Sequence, residues 1–441
     1  VAAMARVEHL SAARLQAGLD EAFALVASRF RRPEVRHRAR ACIGGLLSGL
    51  ERKNGWSLAE YAGEATPDGM QRLFNAAKWD VDGVRDDIRP YLTTHLGERD
   101  AVLVGDDTGF VKQGTRSAGV QRQYTGTLGK VANCQIGVFL GYASSRGRAL
   151  LDRELYLPWD SWIARPGRCA AAQLPEHVGF ATKPQLLQAM IDRAIAACVP
   201  FGWATADEAY GDNGPLRRFL EDHQIGYVLA VSRAHQITTG ASKARADVMA
   251  AQVPRSGWQR LSCGPGAKSE RRYDWALIAT DSPAHRLLIH RSLSNPSDLA
   301  FYRCHTPRPV PLQRLVEVAG ARWTIEECLQ TGKNEAAFDH YQVRLYPAWY
   351  RYITLAMLAL AFLAVTSAAL AAEPAPPTST SGLITISANE VRRLFALLTR
   401  PPTSRPHILH WSRWRRRHQA RARQSHYQRQ QLKDREVRLE Y

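Results

Sequence analysis

Residues 101–110 read AVLVGDDTGF. Four apolar residues, Ala101 to Val104, run through a glycine into two adjacent acids, Asp106 and Asp107. A short apolar run bounded by glycine reads as a buried strand. A carboxylate at the end of a core strand is costly unless it is paired or bound to a cation, so this strand end is the first candidate for chemistry. Side chains alternate along a strand, which puts Asp106 and Asp107 on opposite faces of the sheet.

Working outward, NCQIGVFLGYAS (133–144) and RALLDRELYLP (148–158), joined by Ser145-Arg146-Gly147, complete an antiparallel meander of three strands. Lys183–Val199 is an amphipathic helix, Phe201–Ala206 a strand, Pro215–His223 a helix and Gly226–Val231 a further strand. That second half is a βαβ unit, whose strands pair in parallel. From about 234 to 310 the pattern changes to short strands between Gly and Pro breaks, at Trp258–Cys263, Arg272–Thr280, Arg286–Ser292 and Leu299–His305. This reads as a mainly β insertion, and Leu312–Phe338 after it reads as helix. The order β-β-β-α-β-α-β, insertion, α matches an RNase H-like fold, which is an α/β class with a mixed sheet and flanking helices.

Residues 1–95 form a helical N-terminal domain, with helices at Ala12–Arg29, Pro33–Leu50 and Asp68–Ala77. Leu58–Ala62 and Asp68–Phe74, joined by a turn through Gly63 to Pro67, have the outline of a helix-turn-helix. DNA end binding and docking onto the next domain are equal readings of that outline. The catalytic domain spans 96–372. Residues 373–441 hold a Pro/Ser/Thr linker, EPAPPTSTS (373–381), a short helix at Ser387–Leu398 and a basic tail.

The charge balance of the 441 residues is +18, from 59 Lys and Arg against 41 Asp and Glu. Such a surplus suits a polyanionic partner. Its placement favours nucleic acid: residues 401–441 alone hold eleven Lys and Arg against three Asp and Glu. Within them, WSRWRRRHQARARQ (411–424) reads as a basic helix with Trp on one side, suited to non-specific DNA attachment. Ile353–Ala372 is twenty residues without a charge, long enough to span a membrane. Its Ala, Ser and Thr content reads better as a helix buried in the core. The seven cysteines show no CxxC pair and no metal-ligand spacing. They read as small buried hydrophobes in a reducing compartment. VAAMARVEHL has no apolar signal core, so the expected location is the cytoplasm, in association with the nucleoid.

Asp207 closes the strand Phe201–Ala206, as Asp107 closes the first strand. Functional groups gather at the carboxyl ends of parallel strands. Two carboxylates side by side repel one another unless a cation lies between them, and oxygen ligands favour Mg²⁺ or Mn²⁺ over Zn²⁺. A third acid comes from ARWTIEECLQTGKNE (321–335), which offers Glu326 and Glu327. At about 100° per residue, Ile325, Cys328, Leu329 and Ala336 form the core stripe. Arg322, Glu326 and Lys333 lie along its edge, and Glu327 points into solvent. Glu326 is therefore the candidate. Lys112, Arg116, Arg122 and Lys130, with Tyr124 among them, follow the first strand in a Gly-rich loop suited to phosphates and base stacking. Ordinary salt-bridged helix charges would explain one Glu-Lys pair, but not three carboxylates on the matching elements of one fold.

GDDTGFVKQG (105–114), VQRQYTGTLGKVANCQIGVFL (120–140), TADEAYGDN (205–213) and RWTIEECLQTGKNEAAFDHYQVR (322–344) together resemble the DDE-type transposases of bacterial insertion sequences. The similarity is to the branch with a Tyr-Arg-Glu-Lys signature around the third acid, which also carries a β insertion. The resemblance implies Asp107, Asp207 and Glu326 as catalytic and metal-binding acids. It selects Asp107 over Asp106 because the family's first acid is followed by Thr, here Thr108. It implies two Mg²⁺ or Mn²⁺ ions, and DNA contacts from Arg322 and Lys333. Trp323 is placed to stack on a base, and Lys112, Arg122, Tyr124, Lys130 and Arg344 are further expected DNA contacts. Ala319 stands at the family's Tyr position, so any contact of that Tyr to the terminal phosphate is absent here or made by another residue. The implied activity is cleavage at the element's ends and joining of the 3′-OH ends to target DNA. The implied partners are double-stranded DNA, as terminal inverted repeats and target, and a second copy of the chain. An endonuclease that cuts without joining is the alternative of the same fold. A DNA-binding regulator with a silent site is weakened by the presence of all three acids.

Overall fold

The computed structural model describes residues 11–239, 242–266, 269–280, 282–372 and 384–439. The linker read at 373–381 lies outside the described residues. In chain order the helices α1 (Ala12–Val26), α2 (Pro33–Leu47), α3 (Gly55–Tyr61), α4 (Asp68–Asn75) and α5 (Val81–Leu96) come first. The strands β1 (Val102–Val111), β2 (Gln121–Thr125), β3 (Lys130–Ser144) and β4 (Gly147–Leu155) follow. Then α6 (Lys183–Ala196), β5 (Trp203–Ala206), α7 (Gly214–Asp222) and β6 (Gly226–Val231) alternate.

β1 lies at the centre. It pairs antiparallel with β3 and parallel with β5, while β4 lies antiparallel outside β3 and β6 parallel outside β5. The spatial order β4-β3-β1-β5-β6, with that mix of directions, is RNase H-like. The loop expected after β1 contains β2, which pairs with the start of β3 from Gln121↔Cys134 to Thr125↔Lys130. Its sequence, QRQYT, has no apolar alternation, because its side chains are mostly solvated and its pairing is set by β3.

Most of the β insertion extends the main sheet, and only its first two strands form a sheet of their own. A hairpin, β7 (Gln236–Thr239) and β8 (Ser242–Arg245), precedes β9 (Gln259–Pro265), β10 (Glu270–Ala279), β11 (His285–Arg291) and β12 (Leu299–His305). β12 pairs antiparallel with β6, so the main sheet continues as β6-β12-β11-β10-β9. A satellite core of Val231, Ile237, Met249, Leu287, Ile289 and Phe301 lies beneath the insertion.

The chain continues with α8 (Leu312–Ala321), α9 (Trp323–Ala336), α10 (Tyr346–Ala372), α11 (Ala388–Leu398) and α12 (Arg405–Leu439). The single helix expected over 312–338 is interrupted at Arg322. α10 is the apolar run read as a core helix, and it is one: Trp349, Ile353, Leu355, Leu358 and Leu363 are buried. An all-round apolar helix must be wrapped on every side. α2, α4, α5 and α11 do this from outside the sheet, and β4 and α9 from within. The N-terminal helices accordingly share one core with the sheet, with Leu19, Phe30 and Ile43 in the same cluster as Leu103 and Phe139.

A buried charge cluster ties α5 and α6 to β4. Asp152 on β4 is fully buried and accepts from Arg89 of α5 at 2.6 Å and Arg193 of α6 at 2.8 Å. Arg153 and Arg85 lie within 3.5 and 3.8 Å of its other oxygen.

Candidate active site

The parallel pairing of β1 with β5 ends at Gly105↔Ala206, but β1 itself runs on against β3 to Val111. Asp106 and Asp107 therefore lie within the strand, not at its end as expected. They stand where its parallel neighbour departs. Asp207 follows β5 directly and caps a single turn, Glu208–Gly211, its Oδ1 accepting from the Ala209 amide at 2.9 Å. That turn lies flush on β6: a Cβ added at Gly211 would stand 1.8 Å from the Ala230 carbonyl oxygen. Gly211→Ala should displace the turn that carries Asp207. Overpacking of this kind costs about 1–3 kcal/mol, read as a lower thermal midpoint together with slower DNA cleavage.

Alternation divides the acid pair. The odd positions of β1 face α6: a Cβ at Gly105 would meet Leu187, and Asp107 Oδ2 accepts from Lys183 Nζ at 2.9 Å and from Tyr210 Oη at 3.2 Å. The even positions face α9: Thr108 Oγ1 accepts from Lys333 Nζ at 2.7 Å. Asp106 shares that face. Its Oδ1 accepts from the Asp107 amide at 2.7 Å.

Electrostatics join these groups. Burial pushes the Asp106 carboxyl up to about 7, with Asp107 and Asp207 adding repulsion and Arg322 opposing them. Burial, then Asp107, raises Asp207. Burial works against the charge on Arg322, but Glu326, Tyr302, Asp106 and Asp207 outweigh it and raise its pKa. Glu326 binds that guanidinium at 2.9 Å. Arg322 is thus the shared counterion of the third acid and two of the aspartates. Among the described residues no three Asp, Glu, His or Cys side chains are grouped closely enough to hold one metal ion. The chemistry of the donors nevertheless fits a hard divalent cation. They are oxygen donors, crowded and partly buried, whose repulsion is now met by Lys183 and Arg322.

A family model for the DDE superfamily endonucleases matches residues 25–280, more than half of the chain. The chain belongs to the DDE superfamily endonucleases. Among curated proteins it is 23% identical over 325 residues to a probable transposase for insertion sequence element IS701 from Microchaete diplosiphon, covering 69% of this chain and 76% of that one. Among solved structures it is similar to piggyBac transposase in a synaptic complex with hairpin DNA, with a TM-score of 0.45 and 10% identity over 85% of this chain and 74% of that one. The family resemblance drawn from the motifs is borne out.

For this DDE endonuclease chain, Asp207, Arg322 and Lys333 lie beside the acids of β1, whereas Glu326 is exposed on α9 and is joined to them through its pair with Arg322. Asp107 reaches the β1 crevice from the α6 face, and Asp106 stands on the face of α9. Glu327 does not point into solvent: it is the less exposed of the two glutamates and pairs with Arg148 of β4. Trp323 carries the Arg271 guanidinium 4.8 Å above its ring, so its face is already covered. Lys112 is half-buried, donates to the Tyr341 carbonyl at 3.1 Å and lies 3.4 Å from that ring centroid. Burial lowers its pKa to about 7. Arg122 and Tyr124 are exposed on β2, and Lys130 is exposed at the start of β3, on the hairpin beyond the crevice. Arg344 is exposed after α9. Sequence reasoning missed Lys183 and Tyr210. Tyr210 stood in the quoted TADEAYGDN stretch, but nothing near Lys183 in the chain marks it.

Proposed function

We propose that the chain is a transposase that cuts DNA at the ends of its insertion sequence and joins the freed 3′-OH ends to target DNA. The observation that carries this reading is the convergence of Asp106, Asp107 and Asp207 at the point where β5 leaves β1, with Arg322 linking Asp106 and Asp207 to Glu326. Asp106, Asp207 and Glu326 would hold two Mg²⁺ or Mn²⁺ ions. The resemblance chose Asp107, but the shared face with α9 supports Asp106. When bound, such ions lower the pKa of an attacking water and stabilise the leaving 3′-oxygen.

The chain's own residues then position the DNA. Arg322 can exchange its carboxylate partners for a phosphate, which it matches as a bidentate donor. Lys333, held over Thr108 and Thr127 at 2.7 and 3.0 Å, sits beside the same crevice as a second phosphate donor. The exposed hairpin with Arg122, Tyr124 and Lys130, together with Lys112 and Arg344, supplies further contacts to backbone and bases. In the first step water attacks the phosphorus and the 3′-oxygen leaves as the 3′-OH. In the second, that 3′-OH attacks a target phosphodiester, and a target 3′-oxygen leaves. A homodimer would hold the two element ends together for joining.

The test incubates the full chain with duplexes carrying both element ends, in Mg²⁺, Mn²⁺ or EDTA. Nicks bearing 3′-OH ends and joined strands are expected with either metal and neither product with EDTA. Nicks without joined strands would favour the endonuclease reading. No cutting under any condition would remove both.

A further inference from the structure

The second half of α12 leaves the body of the molecule. From Arg416 to Leu432 its side chains are exposed, except for half-buried Ser425. Arg405 to Leu432 contains eight arginines and no Asp or Glu. Arg413, Arg417 and Arg421 recur at four-residue spacing, where like charges on a helix repel. A projecting helix of this composition has neither a packed face nor internal ion pairs to hold it. Its charge is complementary to a polyanion.

The first half is firmly seated. Trp411 is fully buried and donates to the Glu64 carbonyl at 2.8 Å. His407 and His410 bond the Glu60 and Ala65 carbonyls at 2.9 and 2.8 Å, and Arg415 pairs with the Glu60 carboxylate. Trp414 and His418 pack edge-on against Trp56, with centroids 4.8 and 4.6 Å away. These contacts cover the turn between α3 and α4, which the sequence had offered as a helix-turn-helix. At about 100° per residue, Arg416 and Arg423 fall on the face opposite the aromatic anchor, and Arg413 and Arg417 lie on its flank.

Trp56 also lines a groove of about 1390 Å³ between α3, the loop after β1 and the segment after α9. Arg52, Lys112, Arg116 and Arg344 line it against one acid, Asp339. Groove and helix share the Trp56 wall, and Val111 and Lys112, at the end of the strand that carries Asp106 and Asp107, also line the groove.

We propose that α12 is an anchored arm for duplex DNA, which holds the phosphate backbone of DNA leading along this groove to the active site. The inference takes DNA as the substrate class from the function proposed above. The arm contacts phosphates and reads no sequence, since arginines on an exposed rod without a groove-filling apolar face position a duplex and do not select it.

The test is fluorescence anisotropy with a blunt duplex of arbitrary sequence, about 30 bp, in EDTA across a salt series. It compares the full chain with a variant carrying Arg416→Gln, Arg417→Gln, Arg421→Gln and Arg423→Gln. Gln matches Arg in helix propensity and these side chains are exposed, so the circular dichroism of the variant should match. Each phosphate contact contributes about 0.9 to the slope of log affinity against log salt. The variant should lose about 3–4 from that slope and bind at least roughly tenfold more weakly near 0.1 M salt. An unchanged slope and affinity would overturn the proposal. So would weaker binding to phosphatidylserine vesicles with unchanged DNA binding, which would make the arm a membrane-surface element. The catalytic reading fails separately: wild-type chain that shows the slope loss on substitution but never cuts DNA would keep the arm and lose the transposase.

Discussion

Asp106→Asn should abolish DNA cleavage, while Asp107→Asn should only weaken it. The two side chains differ in what they face. Asp106 stands on the side of β1 that meets α9, the helix of Glu326, and it feels Asp207 and Arg322. Asp107 already has partners on the α6 side, in Lys183 and Tyr210. Burial and the three aspartates keep the Tyr210 hydroxyl protonated, so it remains a donor to Asp107. Losing an ion-holding carboxylate removes several kcal/mol of transition-state stabilisation, on the order of 10³-fold in rate. Losing a residue that orients its neighbours costs about 10–100-fold. Asp207→Asn and Glu326→Gln should match Asp106→Asn. The measurement is the rate of nicking of end-bearing duplex in Mg²⁺, with DNA affinity in EDTA as the control for folding. The reverse ranking, with Asp107→Asn dead and Asp106→Asn active, would restore the assignment implied by the family resemblance.

Asp152→Ala should be the most damaging single change to stability. The residue is fully buried among Arg85, Arg89, Arg153 and Arg193. Replacing a buried ion cluster with apolar groups can be neutral, but removing one partner leaves the others charged and unpaired, at about 3–5 kcal/mol. Here the groups left behind would be arginines that keep only their other carboxylates, Asp82, Asp86 and Glu154, and the Arg89 Nε and Arg153 Nη1 atoms already lack hydrogen-bond partners. The cluster joins α5 and α6 to β4, so its loss should loosen the helical wrap around α10 and the seat of Lys183 together. Thermal unfolding of the variant checks this. The pH dependence has a defined sign. Burial would raise the Asp152 carboxyl, but Arg193, Arg85 and Arg153 outweigh it and hold it below the ordinary 3.8. A depressed folded-state pKa gives stability that is complete above the unfolded value and is lost as pH falls through the folded one. The wild type should therefore lose this contribution only in acid, below about pH 4, and Asp152→Ala should show a flatter acid limb.

The architecture was legible because its signals are local. Apolar runs of strand length, an amphipathic helix and a βαβ unit occur in an order that admits few topologies. Leu299–His305 was read with the limits it has in the structure. β2 was not legible, since a solvated strand has no alternation to display and its existence depends on the edge that β3 offers. The break at Arg322 also escaped, because the helical pattern on either side of it is continuous in the sequence. For the site, helix phase put Glu326 beside Arg322, and the two form an ion pair, while Lys333 reaches over to Thr108 and Thr127. The same phase argument sent Glu327 into solvent, where Arg148, a residue of a distant strand, instead draws it against the sheet.

By itself the sequence determined the fold class, the strand carrying the acids, the helix carrying Glu326 and a charge balance that suits a polyanionic partner. All follow from hydrophobic period, spacing and charge, which are properties of neighbours in the chain. Only the tertiary structure decided which face of β1 meets α9, what sits on each carboxylate and where the basic tail is anchored. Alternation guarantees that Asp106 and Asp107 point opposite ways, but it cannot say which way is which. That depends on which helix packs on which face, so the division of Asp106 toward Arg322 and Asp107 toward Lys183 exists only once the sheet is covered on both sides.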